Sequence, residues 1–201
     1  YARALCYQLF ENNGVIKREA IHQMMKNISK EDRLSLRKVG VKIGRYHIFL
    51  PRMLKPSAVE LRVKLWKLYF PEDKKNIIPK FGLNFLKNET KKNNKFLLIC
   101  GFENFNKFYI RVDILERLFL RIIENTKNGA FKIDSDMINL IGCSKENFFK
   151  LLELMEYRSK KSKKEKEEFF VYTPKLTKNK IKYQKTSRNN PFEKLSELRF
   201  R

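Results

Sequence analysis

The chain of 201 residues is 42% hydrophobic and 33% charged, which supports one fair-sized core or two small ones beneath a polar surface. No run reaches the roughly 18 to 20 uncharged apolar residues that span a bilayer. The start, Tyr1 to Leu5, has neither a signal-peptide pattern nor an initiating Met. We therefore expect an internal fragment of a folded, cytoplasmic protein.

The charge balance indicates a polyanionic partner. Forty-five Lys and Arg residues against 22 Asp and Glu give a formal charge of +23, and such a field attracts phosphates and releases counterions on binding. A genome rich in A and T would explain the preference for Lys over Arg, but not this excess over acids. Nucleic acid is therefore expected ahead of a purely solvating surface, and no membrane partner is predicted.

Three helices are predicted in the first 40 residues. Apolar residues share one face over residues 2–13, and Gly14 follows where a left-handed end would fit. A second helix is predicted over residues 18–27. A third begins at Ser29, where Ser-Lys-Glu-Asp has the spacing of a capping box, and it ends at Gly40.

The pattern then changes twice before a break. Apolar residues over 41–50 recur at a spacing close to two, which predicts a short bent strand with His47 as a half-buried structural residue. A helix is predicted over residues 56–69, begun by a proline in its first turn. Leu61, Leu65 and Leu68 are expected to line one face of this helix, with Trp66 beside them. Residues 72–94 lose periodicity and are predicted to be a linker or surface loop.

A second unit is predicted over residues 95–174. The run 96–100 is typical of a buried strand, and 108–112 would be its hairpin partner. Asp113 and Glu116 have the spacing of an N-terminal capping box. They open a helix whose apolar stripe is formed by Leu115, Leu118, Phe119 and Ile122.

Two short helices with a turn at Gly142 follow, and Asp134 with Asp136 fits a helix cap better than a metal pair. A charged loop and the strand 169–172 complete the chain order of a winged helix. The predicted fold class is α+β, mainly α with a small β component. It consists of a helical module (1–71), the linker, the winged-helix-like unit and a flexible basic tail (175–201) with a short terminal helix at 191–198.

Catalytic and metal sites are not predicted. Cys6, Cys100 and Cys143 lie far apart, no C-x-x-C occurs, and only two histidines are present, so we expect three buried, reduced thiols. The glycine-rich phosphate loop of ATPases is absent, so ATP hydrolysis is not expected in this chain. Serine-hydrolase and metalloprotease motifs are missing as well.

Two stretches resemble a known family. The first is Leu-Arg-Lys-Val-Gly-Val-Lys-Ile-Gly-Arg-Tyr-His-Ile-Phe-Leu-Pro-Arg-Met-Leu-Lys-Pro over residues 36–56, followed by Leu65-Trp66. The second comprises Arg-Val-Asp-Ile-Leu-Glu-Arg-Leu over 111–118 with residues 139–144 and 154–158. Both, with the closing residues 190–195, resemble the C-terminal region of the Suv-three-like superfamily-two helicases of alphaproteobacteria.

The resemblance implies a parent enzyme that hydrolyses ATP with Mg²⁺ and unwinds RNA-containing duplexes. Its motor domains would lie upstream of Tyr1, so ATP and Mg²⁺ would belong to the parent and no cofactor to this chain. The implied partners are RNA or DNA, the motor domains of the same polypeptide and an exoribonuclease. This segment would be an accessory nucleic-acid-binding region.

The candidate nucleic-acid-binding residues lie in three groups. For the first group, which lies between Lys42 and Lys55, contact with phosphate and a purely solvated surface remain equal alternatives. The density of positive charge favours the third group, from Arg158 to Lys164, and the tail, because residues 158–188 carry 12 basic and 3 acidic side chains. Phosphate contact that does not depend on sequence is expected there. The groups are Lys42, Arg45, Arg52 and Lys55; Lys145 and Lys150; and Arg158, Lys160, Lys161, Lys163 and Lys164.

Two other functions remain open. A sequence-specific winged-helix DNA-binding regulator would need base-edge donors over residues 145–156, which offer Lys145, Asn147 and Lys150 but no Arg. A protein-interaction module would carry its charge incidentally. A salt titration of RNA binding separates this module from a phosphate-binding protein.

Overall fold

The computed structural model describes residues 1–87, 94–106, 108–161 and 168–174. Within these ranges the chain is α+β and mainly helical, with strands gathered into three small antiparallel sheets of three strands each. The predicted fold class is therefore confirmed. The basic tail, 175–201, lies outside the described residues, as do Lys163 and Lys164.

The first sheet is built from the N-terminal 50 residues and has the order β1-β3-β2. The predicted capping box is confirmed, because the Asp32 N–H donates to Ser29 Oγ (3.0 Å) and the Ser29 N–H to Asp32 Oδ2 (3.4 Å). Gly14 has the predicted left-handed conformation, with φ +84°. The elements are α1 (Ala2–Glu11), β1 (Val15–Lys17), α2 (His22–Lys26), α3 (Lys30–Lys38), β2 (Lys42–Ile43) and β3 (His47–Phe49).

Helix α4 (Pro56–Tyr69) presents a different face to the protein than its leucines predict. Leu61, Leu65 and Leu68 are 59%, 50% and 75% exposed. Val59, Arg62 and Val63 are buried instead, and Arg62 Nη1 donates to the Asn13 carbonyl at 2.7 Å. The face that the three leucines share is therefore exposed, because the residues beside the leucines meet the neighbouring elements.

The middle sheet, in the order β4-β6-β5, corrects two local predictions. The strand predicted over residues 96–100 is wrong, because most of these residues belong to a helix, and a short apolar run suits a buried helix equally well. Within the predicted linker, a 3-10 turn spans Pro71–Lys75 and one strand joins the sheet. The elements are β4 (Phe85–Lys87), α5 (Asn94–Ile99), β5 (Phe102–Phe105) and β6 (Phe108–Arg111).

The third sheet, in the order β7-β9-β8, packs with three helices. Gly142 has φ +74° between the two short helices, as predicted, and the Ser144 side chain accepts from the Asn147 N–H. Asp134 accepts from the Asp136 N–H, so it caps a helix. The elements are α6 (Val112–Asn125), β7 (Ala130–Lys132), α7 (Ser135–Ile141), α8 (Lys145–Leu154), β8 (Tyr157–Lys161) and β9 (Glu168–Tyr172).

The third sheet and the helices α6, α7 and α8 form what we call the third unit, the described residues from Val112 to Tyr172. Its core contains the predicted stripes except Phe119, which is only partly buried. Leu115, Leu118, Phe148 and Leu151 are fully buried, whereas the predicted capping box at the start of α6 is wrong. Helix α6 begins at Val112, Asp113 pairs with Arg111, and Glu116 binds a distant turn. The first residues of the predicted charged loop, from Arg158, belong to β8.

The cysteines occupy three different environments. Cys100 is buried as expected, Cys143 is partly buried, and Cys6 is exposed on α1, which contradicts the expectation of three buried thiols. Burial raises the pKa of the Cys100 thiol to about 12 and that of Cys143 to about 11. None of the helices in the described ranges is long and apolar enough to cross a membrane.

Candidate nucleic-acid interface

A buried carboxylate fixes the turn between β2 and β3. Glu116 on α6 accepts the backbone N–H groups of Arg45 (2.5 Å), Tyr46 (2.8 Å) and His47 (2.8 Å). Three successive N–H groups around one anion form a nest, which holds negative charge in a low-dielectric site. The sequence shows no sign of this partnership, because the bonded residues lie about 70 positions apart.

The close approach of Glu116 explains Gly44. A Cβ at this position would collide with the Glu116 carboxylate, so any larger residue must push the carboxylate out of its nest. This close approach explains why glycine occupies position 44.

His47 lies beside the same carboxylate and is fully buried rather than half-buried. Its Nε2 donates to Glu103 Oε2 at 2.8 Å, and Lys17 Nζ donates to Glu103 Oε1 at 2.6 Å. The distance from Nδ1 to Glu116 Oε1 is 3.6 Å, which is too long for a hydrogen bond, so Glu116 acts on this nitrogen through its charge. The cluster joins the first sheet to β5 and α6.

The cluster shifts two pKa values in opposite directions. Burial opposes the imidazolium, but the bond to Glu103 and the nearby Glu116 outweigh it, so the pKa of His47 lies above its usual range. Burial opposes the carboxylate of Glu103 in the same way. Its bonds from His47 and Lys17 prevail and hold its pKa below the usual value.

A first cavity of about 330 Å³ opens beside this turn. Four cationic residues line it, namely Arg18, Lys42, Arg45 and Arg117, together with Asp113 and Glu116. The turn and the exposed side of α6 supply its walls, so the nest that holds Glu116 also places Arg45 at the rim. Positive charge therefore exceeds negative charge in this cavity.

A second cavity of about 310 Å³ adjoins the first, because Pro51, Asp113 and Arg117 line both. It brings three further cationic side chains, Lys55, Lys80 and Arg111. We call the two cavities together the basic groove. Its cationic residues are Arg18, Lys42, Arg45, Lys55, Lys80, Arg111 and Arg117.

The two carboxylates of the basic groove are already bound by the chain itself. Arg111 donates through Nε to Asp113 Oδ1 (3.1 Å) and through Nη2 to Oδ2 (2.7 Å), a bidentate pair, while Glu116 occupies its nest. Neither therefore repels an incoming anion as a free carboxylate would.

The cationic side chains of the basic groove differ in how many interactions they make within the chain. Arg18 Nη1 donates to the Gly44 carbonyl at 2.9 Å, and the Arg45 guanidinium lies 5.8 Å from the Phe119 ring centroid. Four others make no hydrogen bond or ion pair within the part of the chain that the structure describes. These four are Lys42, Lys55, Lys80 and Arg117.

The structure brings some predicted site residues together and separates others. Lys42, Arg45 and Lys55 meet in the basic groove, whereas Arg52 is exposed on the 3-10 turn Pro51–Leu54 and lines neither cavity. The remaining described candidates lie on the third unit. Lys145 and Lys150 are exposed on α8, Arg158 and Lys160 are exposed on β8, and Lys161 ends β8.

The surface of α8 is not positively charged as a whole. Its exposed side chains include Glu146 and Glu153 beside Lys145 and Lys150, so the charges cancel. Arg158 lines a cavity together with Glu153 and Glu156. At Lys145, Lys150 and Arg158, acidic side chains therefore offset the positive charge.

Sequence reasoning missed Arg18, Lys80 and Arg117 as members of the site. Arg18 follows β1, Lys80 lies in the predicted linker, and Arg117 is on the outer side of α6, so no spacing connects them. One signal does exist for Arg117, because it falls outside the buried stripe of an amphipathic helix and must face outward.

Among the described residues, no group of three or more His, Cys, Asp or Glu side chains is placed to hold a metal ion. Comparison of the chain with protein-family models, curated proteins and solved structures gives no match.

Proposed function

We propose that this chain is the accessory nucleic-acid-binding region of an ATP-dependent helicase, and that it binds the phosphate backbone along the basic groove without sequence specificity. One observation carries this proposal. Seven cationic residues line two adjoining cavities, while both carboxylates present are held by the chain's own donors.

The physical chemistry favours phosphate over other anions. Several cations in two adjoining cavities can neutralise more than one phosphate of the same strand, and the release of counterions from the polyanion adds to the affinity. Lys42, Lys55 and Lys80 act as point charges that carry no base-edge code. Binding is therefore independent of sequence and strongly dependent on salt.

The helicase part of the proposal depends on the resemblance. Residues 36–56 resemble the helicase segment and also supply Lys42, Arg45 and Lys55 to the basic groove. In this proposal ATP and Mg²⁺ are bound by motor domains of the parent protein, RNA is the substrate, and the protein acts in the cytoplasm. An exoribonuclease remains a proposed partner of the parent.

We assign the third unit a packing role. Its order of helix, strand, helix, helix, strand, strand and its sheet order β7-β9-β8 support a winged helix. The cancelling charges on α8 favour packing over insertion into a groove of DNA. The proposal therefore favours the basic groove over a sequence-specific DNA-binding helix.

The test removes charge from the basic groove and, separately, from the third unit. The first variant carries Lys42→Gln, Lys55→Gln, Lys80→Gln and Arg117→Gln. The matched control carries Lys145→Gln, Lys150→Gln, Arg158→Gln and Lys160→Gln, so both lose four positive charges. Affinity for single-stranded and duplex RNA is measured over a series of salt concentrations.

The first variant should bind all sequences more weakly, and its log-log salt slope should flatten by about 0.7 to 0.9 for each phosphate that the variant no longer neutralises. The control should retain most of the affinity and the slope. Equal losses in both variants would show that only net charge matters. A loss confined to a third variant, neutralised at Lys160, Lys161, Lys163 and Lys164, would move the site to the charged loop as the sequence predicts.

A further inference from the structure

The two halves of the basic groove differ in chemistry. In the half around Gly44, which we call the charged half, six of the twelve lining residues are charged. The half around Lys80 has mostly apolar walls, contributed by three prolines and by Leu54, Val59, Ile78, Phe81, Leu83 and Phe102. An apolar cavity with a few charged groups at its edge suits a flat, partly polar ligand better than a bare phosphate.

Phe81 is the exposed aromatic ring of this apolar half. It is 48% exposed, although the hydrophobic effect favours burial of a phenyl ring. Lys80 and Gly82 on either side are exposed as well, and Gly82 has φ +91°, which fixes a tight turn at the ring. The turn thus holds an aromatic face next to a cation at the edge of a cavity.

We propose that the apolar half of the basic groove is a nucleobase subsite, in which a base of unpaired nucleic acid stacks on Phe81 while Lys55 and Lys80 hold the flanking phosphates. This inference rests on the proposed function and names its substrate class. The cavity volume of about 310 Å³ is at the lower end of ligand pockets, which suits a single base.

The subsite selects single strands over duplexes for a geometric reason. A paired base keeps both faces covered by its neighbours in the stack, so it offers no face to Phe81, whereas an unpaired base can turn out and stack on an aromatic side chain. Every base has such a face, so stacking adds affinity without sequence preference. The charged half of the groove binds either form.

The experiment uses the full 201-residue chain with Phe81→Ala, Phe81→Trp and, as the matched control, Phe10→Ala, which removes another exposed phenyl ring that lines neither cavity of the basic groove. Affinities are measured for a short single-stranded RNA and for its duplex. A 2-aminopurine base in the single strand reports stacking through the loss of its fluorescence. Thermal melting checks that each variant folds.

Phe81→Ala should weaken single-strand binding by about 5- to 150-fold, the range for removal of one stacked base, and should abolish the 2-aminopurine quenching. Duplex affinity and the salt slope should stay unchanged, because every cation that neutralises a phosphate is still present. Phe81→Trp should restore both signals, and Phe10→Ala should leave single-strand affinity and quenching unchanged.

Two failures can be told apart. If Phe81→Ala binds single strands as tightly as the original chain, or weakens single strands and duplexes equally, the nucleobase subsite is refuted even when the charge variant of the groove still loses affinity. If the charge variant loses nothing, the proposed function itself fails. If the cavity takes a peptide instead of a base, the 2-aminopurine fluorescence of bound RNA should be the same in every variant. This result also refutes the nucleobase subsite.

Discussion

The helices α4 and α6 are equally long and have similar leucine patterns, but their leucines differ in burial. In α6, Leu115 and Leu118 are fully buried, whereas Leu61 and Leu65 of α4 are at least half exposed. Helix α6 lies between two neighbours, with the third-unit core on one side and the β2–β3 turn held by Glu116 on another. Apolar periodicity identifies a face, but the surrounding elements decide whether that face is covered.

The buried side of α4 differs in composition from the face that its leucines share. Its buried side includes Arg62, whose guanidinium is bonded to the carbonyl of Asn13 at the end of α1. Burial lowers the pKa of Arg62 to about 10. A charged residue therefore lies on the buried side of α4, where its guanidinium donates to a carbonyl of the turn that follows α1.

The largest expected effect concerns the buried stripe. Leu118→Ala and Leu151→Ala should each lower the free energy of unfolding by about 2 to 5 kcal/mol, since both side chains are fully buried and their removal leaves a cavity. Chemical denaturation measures the loss. Unchanged stability in both variants would contradict the burial of these two side chains in one shared core.

A smaller loss in the free energy of unfolding is expected where α6 meets the β2–β3 turn. Gly44→Ala should cost about 1 to 3 kcal/mol, because the added Cβ displaces the Glu116 carboxylate from three N–H groups. A double-mutant cycle with Glu116→Ala supplies the control. If the cost of Gly44→Ala is as large without the carboxylate, the close approach is not its cause.

The same region should make stability depend on pH. The pKa of His47 is raised by folding, so its contribution is complete below the unfolded value of 6.5 and is lost as pH rises through the folded pKa. The pKa of Glu103 is lowered, so its contribution is present above 4.5 and is lost as pH falls through the folded pKa. The cluster should be most stabilising between these values.

Thermal melts at a series of pH values test this dependence, and the second histidine supplies the control. His47→Gln should flatten the decline of stability above pH 6.5, whereas His22→Gln, at an exposed position, should preserve it. A decline that disappears with His22→Gln instead would show that His47 is not the titrating residue.

The smallest effect is expected on α4. Leu65→Ala and Leu68→Ala should change the free energy of unfolding by no more than about 0.5 kcal/mol, because both side chains are already half or more exposed. Val63→Ala, one of the buried neighbours, is the matched control and should be clearly destabilising. Large losses at Leu65 and Leu68 would mean that this face is covered, and the contrast with α6 would disappear.

Local signals explain what could be predicted. The capping box at Ser29, the turn at Gly142 and the stripe of α6 each depend on residues within a few positions of one another, and all three are present. Residues 96–100 lack such a signal, because their short apolar run fits a strand and a buried helix equally.

Long-range partners explain the rest. The spacing to Asp113 predicts a capping role for Glu116, yet the partners of Glu116 are 69 to 71 residues away. The basic groove likewise combines Arg18, Lys80 and Arg117 from three distant stretches. The sequence indicates positive charge and several of its carriers, but their assembly depends on the tertiary fold.

The carboxylate in the β2–β3 turn also sets an order of events during protein synthesis. The ribosome makes Arg45 71 residues before Glu116, which at about 5 to 20 residues per second is a delay of roughly 4 to 14 seconds. Until Glu116 is made, the three N–H groups can donate only to water. Lys17 likewise has no hydrogen-bond partner until Glu103 is made. A nascent or truncated chain that stops before α6 would therefore lack the anion around which its first sheet is completed.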